Sequence, residues 1–277
     1  MADPDSDSEA TFVIIHAMGN DIDCWQAYPH FWRFLRREGA VPWVLPGDTG
    51  RPREKGWTVE GMADEIVAGF EGPLDLMGFA NGGVIIQSLL ERHNERVRSA
   101  IIVNARFASA SSAATRPPID MTGAAPPMAD LIDAGLQRWF SPFAVRCNAP
   151  GVVEARREFL RMDAEAYRDF QYAAGSFALR DNDSLRRAQQ PISLIAGLDD
   201  MTLAAMLELH RVLPMSRLEL VPGRHFLHLE HPDSIMSAIY HHRIWQPIAK
   251  RVEEPLYFST LGQVGEWSAP DKSVVPQ

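Results

Sequence analysis

The stretch Leu74-Asp75-Leu76-Met77-Gly78-Phe79-Ala80-Asn81-Gly82-Gly83-Val84 decides the fold. Leu74 to Met77 has the character of a short buried strand, and it runs straight into a glycine-rich turn. From Val84 to Arg92 the apolar residues then recur at helical spacing. A strand that becomes a helix within a few residues brings two backbones close together, which calls for small residues at Gly78, Gly82 and Gly83. The residue at the centre of Gly78-x-Ala80-x-Gly82 is lifted into the open above the amino end of the helix. A chain that catalyses through a covalent intermediate carries a serine at such a point, and this one carries Ala80.

The flanking segments repeat a strand–helix rhythm. Thr11 to Ile15 is a continuous apolar run, as expected of a strand covered on both faces, and it ends at His16-Ala17-Met18-Gly19-Asn20-Asp21. The pattern predicts a helix from about Trp25 to Glu38 closed by Gly39, a strand over Val41 to Leu45, a loop Pro46–Gly50, and a helix from Thr58, its N-cap, to Phe70. After the central stretch comes a strand at Ala100–Val103, and this alternation implies a parallel sheet. It breaks between about Arg106 and Gln190, where an Ala-, Ser- and Pro-rich segment precedes amphipathic helices at Met128–Trp139, Gly151–Arg161 and Ala164–Ala178. The rhythm resumes with a strand at Ile192–Ala196, a helix over Leu203–Leu213, a strand over Arg217–Val221 and a last helix starting near Pro232. The fold class is therefore α/β, a mostly parallel central sheet flanked by helices with an inserted helical cap. Its parts are a disordered tail over 1–10, a core over 11–106 and 191–251, the cap over 107–190 and an extension over 252–277 with no assigned role.

Hydrophobic residues make up 46% and charged residues 23% of the 277, which suits a folded domain and excludes a disordered chain. The net charge of -9 argues against nucleic acid or an anionic membrane as partner and leaves a small molecule as the expected ligand. No apolar run reaches the ~18 residues of a membrane span, and the acidic start lacks the features of a secretory signal. Cys24 and Cys147 form neither a disulfide framework nor a metal spacing, so the chain is expected in the cytoplasm with both thiols free. The sequence leaves the oligomeric state open.

Two further loops complete a catalytic frame. Gly197-Leu198-Asp199-Asp200 follows one late strand and Gly223-Arg224-His225-Phe226 follows the next, giving the order nucleophile position, acid, histidine. A histidine there takes a proton, and a carboxylate fixes its tautomer and stabilises the imidazolium. Asp200 is preferred over Asp199 as that carboxylate, with His225 as the base and Ala80 at the nucleophile position. The amides of Asn81 and Met18 are the candidates for an oxyanion hole, with His16 a loop-bracing residue. Arg106, Arg138 and Trp139 are candidate substrate contacts, Phe140 being an alternative lining residue or simply cap core. His225, His228 and His231 recur every third residue but lack a helical face and a completing ligand, so no metal is expected, and no cofactor. A dinucleotide-binding fold is excluded because the first strand lacks a Gly-x-Gly-x-x-Gly turn and no acidic residue ends the second at Leu45.

These residues resemble the 3-oxoadipate enol-lactonase-like group of α/β-hydrolases, from Thr11 to about Tyr240. The likeness rests on Met18-Gly19, the turn at 78–83, Val103-Asn104-Ala105, the Gly197–Asp200 loop and His225 leading into Leu229-Glu230-His231-Pro232. Its most group-specific element is Gln137-Arg138-Trp139-Phe140-Ser141-Pro142. The resemblance implies an α/β-hydrolase fold with a helical cap and hydrolysis of a small lactone or ester through an acyl-enzyme. The chain departs from that group in Ala80, in having only a polar tail where an extra strand pair is usual, and in running on past the usual end. Three readings of Ala80 follow. The natural protein has serine there and this chain is an inactivated hydrolase. Alternatively the alanine is native, and the His225–Asp200 dyad is a general base for a lyase, isomerase, cyclase or cofactor-free oxygenation reaction. In the third, the chain is a ligand-binding protein without catalysis.

Overall fold

A computed structural model describes residues 10–48, 50–109 and 119–249. The tail expected over 1–10, apart from Ala10, and the extension over 252–277 lie outside the described residues.

Six strands form one sheet in the order β2-β1-β3-β4-β5-β6. They are β1 (Thr11–Ile15), β2 (Ala40–Trp43), β3 (Leu74–Phe79), β4 (Val97–Val103), β5 (Ile192–Gly197) and β6 (Ser216–Val221). Every neighbouring pair is parallel. The helices α1 (Pro29–Arg37), α2 (Val59–Gly69) and α3 (Asn81–Arg92) join the first four strands. Between β4 and β5 lie α4 (Met128–Trp139), α5 (Pro142–Arg146), α6 (Pro150–Arg161), α7 (Ala164–Ser176) and the short α8 (Asp183–Arg186). Then follow α9 (Leu203–Val212), the single turn α10 (Leu227–Glu230) and α11 (Pro232–Ala249).

Alternate residues of each strand enter opposite cores. Val13, Ile15, Leu76, Ile102 and Leu194 meet α2, α3 and α9 on one face. Phe12, Ile14, Met77, Ile101 and Ile195 meet α1 and α11 on the other, together with α4 and α6. Burial on both faces is why these strands read as largely apolar runs. β3 also carries a buried charge: Asp75 accepts hydrogen bonds from Arg98 Nε (3.0 Å), Ser99 Oγ (2.7 Å), Arg243 Nη1 (2.7 Å) and Gln246 Nε2 (3.1 Å). The network fastens α11 to the amino-terminal end of the sheet. Burial opposes ionisation of Asp75, but these donors and the two arginine charges bring its carboxyl below the usual range.

The helix expected over Trp25–Glu38 is two pieces, a 3₁₀ turn at Ile22–Gln26 capped by the Asp21 side chain and α1 starting at Pro29. Proline has no amide to donate and belongs in the first turn of a helix, so Pro29 begins α1 and separates it from the turn. Thr58 caps α2 as expected, its Oγ1 accepting from the Gly61 amide at 2.9 Å.

Strand order reverses beside β1, from which the chain moves outward to β2 and then back across to β3. In open α/β sheets, ligands bind at the carboxyl ends of the strands beside such a reversal.

Candidate active site

The register Ile15↔Gly78 sets the end of β1 directly beside the glycine-rich turn. A Cβ on Gly82 would stand 2.5 Å from the Ile15 carbonyl oxygen, and one on Gly78 would stand 2.5 Å from the Gly82 carbonyl carbon. Only hydrogen fits at either place. Ala80 between them has φ 48° and ψ -109°, a conformation that L side chains rarely adopt. It is held by hydrogen bonds at both ends. Its amide donates to Val103 O at 2.8 Å, and its carbonyl accepts from Gly83 at 3.1 Å and Val84 at 3.3 Å. Helix α3 therefore begins at Asn81, not at Val84 as the apolar spacing suggests, because the turn itself closes its first hydrogen bonds. As the first helical residue, Asn81 has an amide with no intrahelical acceptor.

Across the carboxyl ends of the strands, His225 Nδ1 lies 2.8 Å from Asp200 Oδ2. The Asp200 side chain is 0% exposed and that of His225 is 13% exposed. Asp200 Oδ1 also accepts from the Thr202 amide (2.8 Å) and from the Thr202 hydroxyl. Burial opposes the charge on Asp200, but the His225 hydrogen bond and charge, with the two Thr202 donors, bring its carboxyl below the ordinary value. An ionised carboxylate accepts, so Nδ1 of His225 is the donor of this bond and Nε2 is the ring nitrogen left for other partners. Asp199 is exposed and makes no pair with His225; its amide donates to Gly223 O at 3.1 Å.

One residue absent from the candidate list binds these loops together. Asn104, just past β4, is buried with φ 45°. Its Nδ2 donates to Arg224 O (2.8 Å) and His225 O (2.9 Å), and its Oδ1 accepts from Gly197 N (2.8 Å). A buried asparagine can meet all three groups because it tolerates the left-handed backbone that aims it there.

The loop after β1 supplies the other wall. Met18 is half-buried, and its Sδ accepts from Asn81 Nδ2 at 3.8 Å. Below it lies a small apolar pocket lined by Met18, Leu45, Met162, Ala166, Tyr167 and Phe170, with Asp48 at one side. His16, fully buried, stands 3.2 Å from Asp48 Oδ2 through Nε2 and 3.1 Å from Ala17 O through Nδ1. A carbonyl only accepts, so Nδ1 carries the ring proton. Burial lowers His16 to about 4 and raises Asp48 to about 8, so the contact is between a neutral imidazole and a carboxylic acid that donates to Nε2. His16 thus braces the β1 and β2 loops against each other.

The remaining candidates divide. Trp139 is buried, stacks on Phe226 (centroids 4.7 Å apart, planes at 16°), and accepts from the Phe226 amide at 3.0 Å, so it touches the histidine loop directly. Phe140 is buried edge-on against Phe226. Arg138 is exposed. Arg106 directs Nη2 to the carbonyls of Ala174 and Phe177, tying the end of α7 to the core instead of meeting the dyad. His228 is buried among Trp25, Phe79 and Phe226, and its Nε2 is 3.2 Å from Asn20 Oδ1. Cys24 is buried, Cys147 exposed, and both are free thiols.

A second missed residue is Glu158 on α6. The buried residues Gly151, Val152, Ala155, Glu158 and Phe159 share one face of that helix, so its position among apolar residues is visible in the spacing. Its Oε2 accepts from Asn20 Nδ2 at 3.0 Å and from the Asp21 amide at 3.4 Å. Burial, with the nearby Glu154 charge, raises its carboxyl to about 9.

A parallel sheet in this order, a strained turn after β3, and an acid and a histidine on the loops after β5 and β6 define the α/β-hydrolase fold. The chain belongs to the alpha/beta hydrolase family, whose sequence model matches residues 12–238. Over 98 residues it is 30% identical to the pimeloyl-[acyl-carrier protein] methyl ester esterase of Neisseria meningitidis; the stretch is 34% of this chain and only 38% of that protein. Among solved structures, a hydrolase from Pseudomonas aeruginosa PA01 superposes with a TM-score of 0.73 at 18% identity, covering 85% of this chain and 91% of the other. The enol-lactonase from Burkholderia xenovorans LB400 superposes with a TM-score of 0.71 at 18% identity, covering 85% and 92%. At such identities the structural likeness is one of fold. Among the described residues, no helix is long and apolar enough to cross a membrane.

Proposed function

We propose that this chain acts on a small carbonyl compound, an ester, a lactone or an enolisable ketone, with His225 as a general base and no covalent intermediate. The observation that carries this reading is a His225–Asp200 pair, joined through Nδ1 on the loops at the carboxyl ends of the strands, in a chain whose elbow has no nucleophile. Alanine offers no lone pair, so no acyl-enzyme forms at position 80. The substrate oxygen accepts from the amides of Met18 and Asn81, and His225 Nε2 removes a proton from the carbon beside the carbonyl or from a water. Negative charge then develops on an oxygen that already has two donors. The reactions open to such a site are isomerisation, elimination, cyclisation, cofactor-free oxygenation and direct hydrolysis. Residues 107–190 serve as the cap that excludes bulk water, with Trp139 fixing it to the histidine loop. The esterase and lactonase names among the relatives support the substrate class. A cytoplasmic setting suits the two free thiols.

The test is a panel of small esters, lactones and β-keto esters, followed by mass spectrometry for products and by proton NMR for α-proton exchange in deuterated water. Turnover or exchange above background is expected, and His225→Ala should remove it. An unchanged rate in that variant rejects the reading, and ligand-induced stabilisation with no product would leave a binding protein instead.

A second reading, an acyl-transfer hydrolase disarmed by Ala80, is favoured by the elbow backbone, which keeps its strained form without a hydroxyl to present. Under it, Ala80→Ser gives a burst of product with p-nitrophenyl acetate. Absence of any acylated protein in the mass spectrum of that variant rejects it.

A further inference from the structure

The two oxygens of Asp200 are used differently. Oδ1 accepts from the Thr202 amide (2.8 Å) and from the Thr202 hydroxyl, while Oδ2 meets His225 Nδ1 at 2.8 Å. The last torsion of an aspartate side chain is broad and roughly two-fold, so covalent geometry alone does not decide where its oxygens point. Hydrogen bonds must decide it. An amide two residues on is an ordinary partner for an aspartate in a turn. The hydroxyl is a further donor, and its helix makes its direction informative.

Thr202 occupies the N-cap of α9, where a threonine oxygen normally accepts from an amide of the first helical turn. Thr58 does this at the start of α2, its Oγ1 accepting from the Gly61 amide at 2.9 Å. The Thr202 side chain makes no cap bond to α9. The same residue type at the same helical position is thus put to another use, and its hydroxyl donates to the carboxylate instead. Leaving a helix uncapped destabilises it, so a purely structural threonine would keep its oxygen on α9.

The backbone around Asp200 is fixed as well. Its amide donates to Gly197 O at 3.1 Å, and its carbonyl accepts from the Leu203 amide at 3.2 Å. A Cβ on Gly197 would stand 2.6 Å from Gly223 O and 2.8 Å from Arg224 O, so the acid and base loops meet closely only because glycine is there. What stays adjustable on the acid's side is the side chain itself.

We infer that Thr202 is the positioning residue for Asp200: its hydroxyl, withdrawn from helix capping, fixes the turn of the carboxylate so that Oδ2 meets His225. The inference rests on the reading of His225 as general base. Held by Nδ1 in this way, the imidazole presents Nε2 for proton removal in one direction. Without the hydroxyl the amide still binds Oδ1, but the carboxylate rocks about that single bond and the imidazole moves with it.

The experiment compares Thr202→Val, which keeps the shape and the amide but loses the hydroxyl, with Thr202→Ser, which keeps the hydroxyl. Thr202→Ala, a second hydroxyl-free variant, should behave as Thr202→Val does. The probe reaction is α-proton exchange of ethyl 2-methylacetoacetate in deuterated water, followed by proton NMR. In Thr202→Val kcat should fall about tenfold, less than the roughly hundredfold that an ångström of misplacement can cost. KM should stay within about twofold of the parent, and Thr202→Ser should retain most of the rate. An unchanged kcat overturns the proposal, as does a loss that serine shares in full.

A second readout needs no turnover. The proton in the charge-assisted His225–Asp200 bond gives a resonance downfield of the backbone amides, identified by its absence in His225→Ala. It should move and broaden in Thr202→Val and keep its place in Thr202→Ser. An identical signal in the parent and Thr202→Val overturns the proposal, and so does the absence of any such signal in the parent. If the parent exchanges no probe proton while the resonance responds as expected, the general-base reading fails and the role of Thr202 stands.

Discussion

The charge state of Glu158 can be read directly from the stability of the protein. Burial raises its carboxyl from an ordinary 4.5 to about 9. Between those values the folded chain holds a proton that the unfolded chain has released, so folding loses stability as pH rises from about 4.5 towards 9. Applied in full, a shift of that size weakens folding by about 4 kcal/mol between pH 5 and pH 8. Effective dielectrics in proteins are nearer 20 than 4 even at buried sites, so about half, ~2 kcal/mol, is the working figure. Glu158→Gln keeps an oxygen for the Asn20 donor and cannot ionise. The variant should differ little from the parent in Tm at pH 5 and lead it by roughly 4–8 °C at pH 8. Circular dichroism melts at the two pH values measure this. Asp48, raised to about 8, acts in the same direction in both proteins. His16 and His228, which burial lowers to about 4 and about 3, act oppositely, removing stability as pH falls from 6.5 towards those values. Those contributions cancel in the comparison. Parallel melting curves, or a lead that shrinks as pH rises, would refute the assignment of Glu158 as a buried carboxyl held neutral.

Three other substitutions probe the frame. Ala80→Gly should stabilise the fold by about 1 kcal/mol in urea denaturation, because relief of the strained backbone exceeds the added entropy of the unfolded chain; a loss of stability contradicts the strain. Asn104→Ala removes three buried hydrogen bonds and should lower stability by about 3 kcal/mol, and a loss below about 1 kcal/mol would show that the loops do not depend on it. At Gly151 a Cβ would stand 1.8 Å from Leu229 O, so Gly151→Ala should destabilise by about 3 kcal/mol or more although alanine is the better helix former. A gain in Tm for that variant would mean that α6 does not pack on α10 as described.

Much of the fold was legible because its signals are local. Strands covered on both faces are largely apolar, and Phe12–Ile15 and Leu194–Ala196 show it. Helix α4 starts and stops where its spacing places it, at Met128 and Trp139. The boundary at Pro29 was missed since the apolar periodicity runs on through it, although the proline itself marks a first turn. The position of Asp200 and His225 could be read from loop order, because the fold fixes which strand ends carry the two groups. Asn104, Asp48 and Glu158 could not be read in this way. Asn104 meets partners 93 to 121 residues away, and Glu158 meets Asn20 across 138. Nothing in the neighbouring sequence records such contacts; only the closing of β4 against the late loops, and of α6 against the β1 loop, creates them. Arg106 shows the converse, a charged residue at a strand end that suggests a ligand contact but serves to hold α7.

The end of β4 acts as a common datum for the site. Val103 O receives the Ala80 amide, and the next residue, Asn104, holds the acid loop through Gly197 N and the base loop through the carbonyls of Arg224 and His225. Thermal displacement of that strand end is thus common-mode, carrying elbow, carboxylate and imidazole together and leaving their separations unchanged. The helices over 128–186 can then drift or be remodelled with little effect on the spacing of the three. A scaffold referenced in this manner lets the cap helices change independently of the strand ends, and lets residue 80 change without re-aiming His225.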